Sequence, residues 1–273
     1  MKPVLKPVCQ EGHPTLDRHR QRGISVIEMM VAMVLGLAVI MGVMAVMQNN
    51  RQNFRVTESM SELQENARMG FELIARDIRA ARDTGCGPSA VDTTSLFPTA
   101  TAWWQTWNPL RGYNGSTATT AVGYGGSPGQ RINGTHALQV MGTRDGWPLR
   151  SDDITATTVD TVAGHPFEAN DIVVVCDYNG FSTRMYRIQG VTSNTVTLND
   201  TTTAYNGQIA PLAATTWFVG NNGRANEGGR ALYRVRFNGS NGTFVEEVLP
   251  GIIDMRLRYR LEGGSDFITD PTA

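Results

Sequence analysis

The ionisable group in the least hospitable setting is Glu28. It heads a run from Met29 to Met47 that holds 19 residues with no charge or strong polar group. A lone carboxylate in hydrocarbon costs on the order of a few kcal/mol, so it needs a named partner or must reach the headgroup layer. A cationic group is the kind of partner that cancels it. Other candidate chemistry is weaker. Gly125-Gly126-Ser127-Pro128-Gly129 matches the nucleophile-elbow spacing formally, but no strand precedes it and no helix follows, so coincidence is expected. Downstream of the apolar run the histidines are His136 and His165, neither with a partner at metal-ligand spacing, so both read as neutral core or surface residues. Asp152-Asp153 and Asn199-Asp200 invite calcium but lack EF-hand spacing and read as solvated turns. Trp103, Trp104 and Trp107 suit sugar stacking or partner docking; local core beneath a long loop is preferred.

Composition narrows the classes further. Both lysines, Lys2 and Lys6, lie at the extreme N-terminus, so Schiff-base chemistry or a Walker loop has no lysine in the body of the chain. A net charge of −1 over 273 residues excludes a strongly basic nucleic-acid binder. No metal, cofactor or enzymatic activity is expected, and no nucleic acid is inferred as a partner.

The apolar run sets the organisation. At about 1.5 Å rise per residue, 19 residues roughly span a hydrocarbon core of about 30 Å. Residues 1–23 carry a charge of +3, against fewer bases (Arg51, Arg55) just past the span, which places the N-terminus in the cytoplasm and the remainder outside. No clear small-x-small cleavage site closes the run. Gly23-Ile24-Ser25-Val26-Ile27-Glu28, with bases before it and a long apolar helix after, resembles the type IV prepilin signal. That resemblance implies cleavage by a prepilin peptidase between Gly23 and Ile24, methylation of Ile24, and an assembly role for Glu28. Ile24 stands where phenylalanine is most common, and no proline lies between Pro14 and Pro88 to kink the helix.

Helical periodicity continues past Met47. Met60, Leu63, Ala67, Phe71, Ile74, Ile78 and Ala81 recur three or four apart, which predicts one apolar stripe against a globular domain, ended by Thr84-Gly85-Cys86-Gly87-Pro88. If continuous, residues 24–82 make a rod of roughly 90 Å. Glu62-Leu-Gln-Glu-Asn-Ala-Arg68, Phe71-Glu-Leu-Ile-Ala-Arg-Asp-Ile-Arg79 and Gly85-Cys86-Gly87 resemble the PilW-type minor pilins. Gly134–Val140, Asp171–Asp177 and Glu247–Tyr259 extend that likeness more weakly. The family often has an acidic residue where His136 stands, and its members usually carry a further apolar strand past the point where this chain stops.

From residue 88 onward Gly, Thr, Asn and Ser dominate, and seven Asn-Gly pairs mark turns. Strands are expected at 137–141, 171–178, 184–191, 195–198, 216–219, 231–237, 243–249 and 252–261, with a hairpin through Asn238–Gly242. Cys9 falls in the leader. An oxidising compartment and the family pattern together favour a Cys86–Cys176 disulfide over two buried free thiols; it closes a loop of about 90 residues.

The expected fold class is α+β and pilin-like: a long N-terminal membrane-spanning helix packed on a mostly antiparallel β-sheet domain. The expected parts are a leader (1–23), a membrane half of the helix (24–47), an exported amphipathic half (48–84) and a β-rich domain (85–273). The resemblance implies a minor pilin priming assembly near the pilus tip, held in the bacterial inner membrane with its domain in the periplasm. Its partners are then the prepilin peptidase, other minor pilins, the major pilin and, as a further candidate, a tip-associated adhesin. A type II secretion pseudopilin is the close alternative, and a membrane-anchored binding module a more distant one.

Overall fold

Ser25 opens the first element: its Oγ accepts the Ile27 N–H at 3.3 Å, the bond expected of an N-cap. Helix α1 then runs Val26–Arg79. The computed structural model describes residues 23–87, 90–150, 156–162, 164–178, 182–202, 206–260 and 263–269. Contacts divide the chain into two units, Met1–Ser59 and Met60–Ala273. The described part of the first unit is helical from Val26 and exposed throughout. Its apolar window is long enough to cross a membrane, and none of it is buried. Cys9 and the remaining residues before Gly23 lie outside the described residues, as do Asp152-Asp153.

The second unit holds the end of α1 and ten described strands: β1 (Leu110–Tyr113), β2 (Ala137–Thr143), β3 (Trp147–Arg150), β4 (Ala156–Thr161), β5 (Ile172–Asp177), β6 (Thr183–Val191), β7 (Thr195–Thr202), β8 (Asn206–Asn221), β9 (Arg230–Phe237) and β10 (Thr243–Pro250). All their pairings are antiparallel. Strand β8 belongs to two structures. Its second half pairs with β2 and β9 in a five-stranded sheet, β1-β2-β8-β9-β10. Its first half pairs with both β3 and β5, which closes a six-stranded barrel, β8-β3-β4-β7-β6-β5. The expectation of one sheet is thereby refined to a sheet with a barrel built on a shared strand. Pro211 sits where β8 passes from β3, whose partners end at Ile209, to β2, whose partners begin at Leu212. On that side its missing N–H costs no ladder bond.

Alternation along the strands sorts the core into three. Val173, Val175, Tyr186, Ile188, Val196, Leu198 and Ile209 fill the barrel. On the sheet, Leu138, Val140, Trp217, Leu232 and Leu249 face the helix, while Phe218, Tyr233, Val235 and Phe237 face the segment that joins α1 to β2. Strand β5 is buried on both sides, which explains its unbroken Ile-Val-Val-Val-Cys run.

The helix seats on only part of the predicted stripe. Leu73, Ile74 and Ala81 pack on the sheet, and the only buried residue of α1 is Gly70. Met60, Phe71 and Ile78 remain 55%, 72% and 38% exposed. The cause is close approach: a Cβ at residue 70 would lie 3.2 Å from Leu249 and 3.3 Å from Leu232, so α1 descends on its smallest residue rather than its largest. Helix α1 also stops sooner than residue 82. Arg82 turns left-handed (φ 67°) and donates its N–H to the Met141 carbonyl on β2 at 2.9 Å, and Thr143 N–H bonds the Asp83 carbonyl at 2.9 Å. Gly142 permits this, because a Cβ there would sit 2.4 Å from the Ala80 carbonyl oxygen.

One expected strand, 252–261, is absent: residues 252–260 carry a single bridge, Tyr259 to Ile268. Ile252, Met255 and Leu257 lie over the helix-facing cluster, so the segment covers a face instead of extending the sheet. Residue 261 is outside the described residues.

Candidate functional site: an N-terminal junction and a spine helix

Gly23 and Ile24 precede the helix and are exposed, Ile24 at 76%. Glu28 occupies the first turn of α1, where the unpaired N–H groups and the helix dipole favour a carboxylate. The three residues are close along the chain, with the Gly23–Ile24 bond before the helix and Glu28 in its first turn. At the far end, Cys86 and Cys176 are joined by a disulfide, with Cα atoms 5.9 Å apart. It ties the turn after α1 to β5.

The helix–sheet seam carries a bond that local spacing did not reveal. Trp217, fully buried on β8, donates its indole N–H to Asp77 Oδ2 at 2.9 Å, and Arg234 on β9 lies over the same ring at 5.5 Å. Asp77 is the acid of the Ala75-Arg76-Asp77 segment, so one residue of that segment has a physical task here: it satisfies a buried donor and sets the rotation of α1. Asp77→Ala is expected to cost about 1–3 kcal/mol, since the indole N–H is left without an acceptor. Asp77→Asn keeps a carbonyl oxygen and should recover most of that, as read by thermal unfolding of the full chain in detergent.

The other candidates resolve as structural. Trp103 and Trp104 are 7% and 3% exposed, and Trp104 packs against Phe97 and Phe237 at centroid distances of 5.3 and 4.3 Å. Local core is what the structure has there. His136 accepts the Leu257 N–H on Nδ1 at 3.2 Å and donates its own backbone N–H to Met255. Burial, with repulsion from Arg131 and Arg256, outweighs attraction from Asp254 and lowers its pKa, which suits a neutral acceptor. His165 bonds the Thr192 carbonyl at 2.8 Å and stacks on Phe167. Ser127 lies in a turn bound by Gln130, without strand or helix around it. Asn199 accepts the Arg187 N–H, and Asp200 faces Arg184 at 3.8 Å. Among the described residues, no three His, Cys, Asp or Glu side chains are placed to hold a metal.

Arg131 is a buried cation that the spacing gave no reason to single out. It is 0% exposed, stacks over Tyr124 at 4.8 Å and donates to the Thr117, Asn114 and Thr135 carbonyls. Three backbone acceptors converge on one guanidinium, which organises the layer opposite the helix.

Comparison with known proteins bears on the first stretch. The family model of the prokaryotic N-terminal methylation motif matches residues 18–44, which include Gly23, Ile24 and Glu28. Comparison with curated proteins gives no match, and comparison with solved structures gives none. The motif belongs to structural rather than enzymatic proteins. With its apolar helix and antiparallel β domain, it supports a membrane-anchored, type IV pilin-like or pseudopilin protein.

Proposed function

We propose that the chain is a minor pilin. Prepilin peptidase cuts the Gly23–Ile24 bond and methylates Ile24, leaving Glu28 five residues into the mature chain. Residues 24–47 then anchor the protein in the bacterial inner membrane, with residues 48–84 and the β domain in the periplasm. Assembly packs the apolar helices side by side, and Glu28 neutralises the new terminal amine of an adjacent subunit. Other minor pilins, the major pilin and a tip-associated adhesin are the partners, and the place in the filament is near the tip.

The observation that carries this reading is the position of Gly23, Ile24 and Glu28 at the head of an apolar helix within the matched methylation motif. The Glu62–Arg68 and Gly85–Gly87 segments, which resemble minor pilins, favour a pilus over the secretion pseudopilin. Intact-mass and N-terminal peptide spectrometry of the protein from its own cells tests the processing. The expected product begins with N-methylated Ile24. Retention of residues 1–23 in cells that possess the peptidase overturns the reading.

A further inference from the structure

Where α1 ends against the sheet, a cleft of about 360 Å³ opens, lined by Arg76 and Asp77 of the helix, Arg144 beyond β2, and Arg234 and Arg236 of β9. Its charges do not balance internally. Asp77 is engaged by the Trp217 indole, and its approach to Arg76 is 3.9 Å. Glu246 serves two arginines at once, accepting Nε of Arg234 and Nε of Arg236, each at 2.6 Å. Burial pushes the Glu246 carboxyl up, but the bonds from Arg234 and Arg236 more than reverse that and hold it below its ordinary value, so it is ionised and committed. Those bonds use Nε alone, which leaves the Nη donors of both guanidiniums. Arg144 is exposed and forms no ion pair with a described residue. Four cations thus line the cleft with one carboxylate, Asp77, which is already in use, as is Glu246 beside Arg234 and Arg236.

The geometry points to this cleft as the receiving site for a carboxylate side chain from a neighbouring pilin-like subunit. The inference rests on the assembly reading above. Guanidinium forks bind a planar carboxylate through paired N–H groups. Asp77 lines one side, near the negative end of the α1 dipole, which tolerates a single acid and disfavours a chain of phosphates. The chain itself shows what such a neighbour offers. Glu62 and Glu65 are exposed, form no ion pair with a described residue, and stand in a stretch, 56–67, that contains no base. They precede Arg76 by roughly 16–21 Å of helix. A subunit of the same plan, displaced along its helix by that distance, brings its carboxylates level with the cleft. Contact between two different patches is heterologous, the kind that propagates along a filament.

The test uses the full-length chain in its own cells. A photo-crosslinking phenylalanine analogue replaces Arg144, and adducts are mapped by mass spectrometry. The expected adduct lies beside an Asp or Glu on the helix of a second chain that carries the methylation motif. In parallel, Arg144→Glu is expected to undergo leader cleavage and reach the membrane but to enter sheared filaments at least tenfold less. Changing the mapped acid to arginine should restore it. Adducts only to lipid, to nucleic acid or to segments without acids overturn the proposal, as does normal incorporation of Arg144→Glu. If Arg144→Glu fails to accumulate, the adduct map from the otherwise unaltered chain decides. An uncleaved wild-type leader points instead to failure of the underlying assembly reading.

Discussion

Replacing Cys86 and Cys176 together with alanine is expected to lower the stability of the β domain by about 4–5 kcal/mol, the chain-entropy value for a loop of 90 residues. For a unit of this size that corresponds to a fall in Tm of roughly 10–20 °C. The bond joins two parts that the sequence separates widely: the turn after α1 and strand β5, which is paired with β6 and β8. Without it, the unfolded chain regains the freedom of the whole stretch from the helix end through β2, β3 and β4. Cys176 is also completely buried. A single Cys86→Ala change therefore leaves a shielded thiol that pairs with nothing, and it should cost nearly as much as the double change. Thermal unfolding of the full chain in detergent, with and without reductant, measures the effect. Reductant should destabilise the wild type and leave the double variant unmoved. A shift under about 3 °C in both would show that the denatured chain is already compact between these residues.

The sequence exposed those parts of the molecule whose physics is local. An uninterrupted apolar run, continued by helical periodicity past Met47, identifies α1. Strands rich in β-branched and aromatic residues, such as β5, β9 and β10, stand out for the same reason, and so does the Asn-Gly hairpin between the last two. Strands β1, β3 and β4 did not. Among the described side chains each carries a single buried anchor (Tyr113, Leu149 and Val159), with Arg, Gly, Pro, Thr or Asp residues around it, and each has a partner distant in sequence. Strand β8 was found only at Thr216–Val219, because Pro211 and the small residues around it conceal a strand of 16 residues shared by sheet and barrel. The facing of α1 is legible in part: Ile74 and Ala81 of the expected stripe pack on the sheet beside Gly70, whereas the exposure of Met60, Phe71 and Ile78 and the Asp77–Trp217 bond depend on the sheet they meet. Residues near the proposed cleavage point are adjacent in the chain and so form a readable motif. The arginine cleft gathers residues 76, 144, 234 and 236, and no spacing rule links positions so far apart.

Glu28→Ala is expected to leave leader cleavage intact and to reduce incorporation into filaments by roughly 100-fold. The magnitude comes from pairing. In the proposed assembly the carboxylate of one helix meets the terminal amine of another within the apolar layer. Removing one partner of a buried pair leaves the other uncompensated, at a cost of about 3 kcal/mol or more. That is about two factors of ten in an equilibrium. Peptide-bond cleavage at Gly23 acts outside the helix and does not draw on the pair. The variant should thus accumulate as processed protein in the membrane while disappearing from sheared filaments, a separation that immunoblots of the two fractions resolve. Glu28→Gln distinguishes charge from polarity. An amide can hydrogen-bond an ammonium without neutralising it, so it should rescue only a small part of the loss. If both variants enter filaments normally, Glu28 resides at headgroup level and the assembly energy comes from apolar helix packing alone. Near-complete rescue by glutamine would instead assign it a hydrogen-bonding task with no electrostatic component.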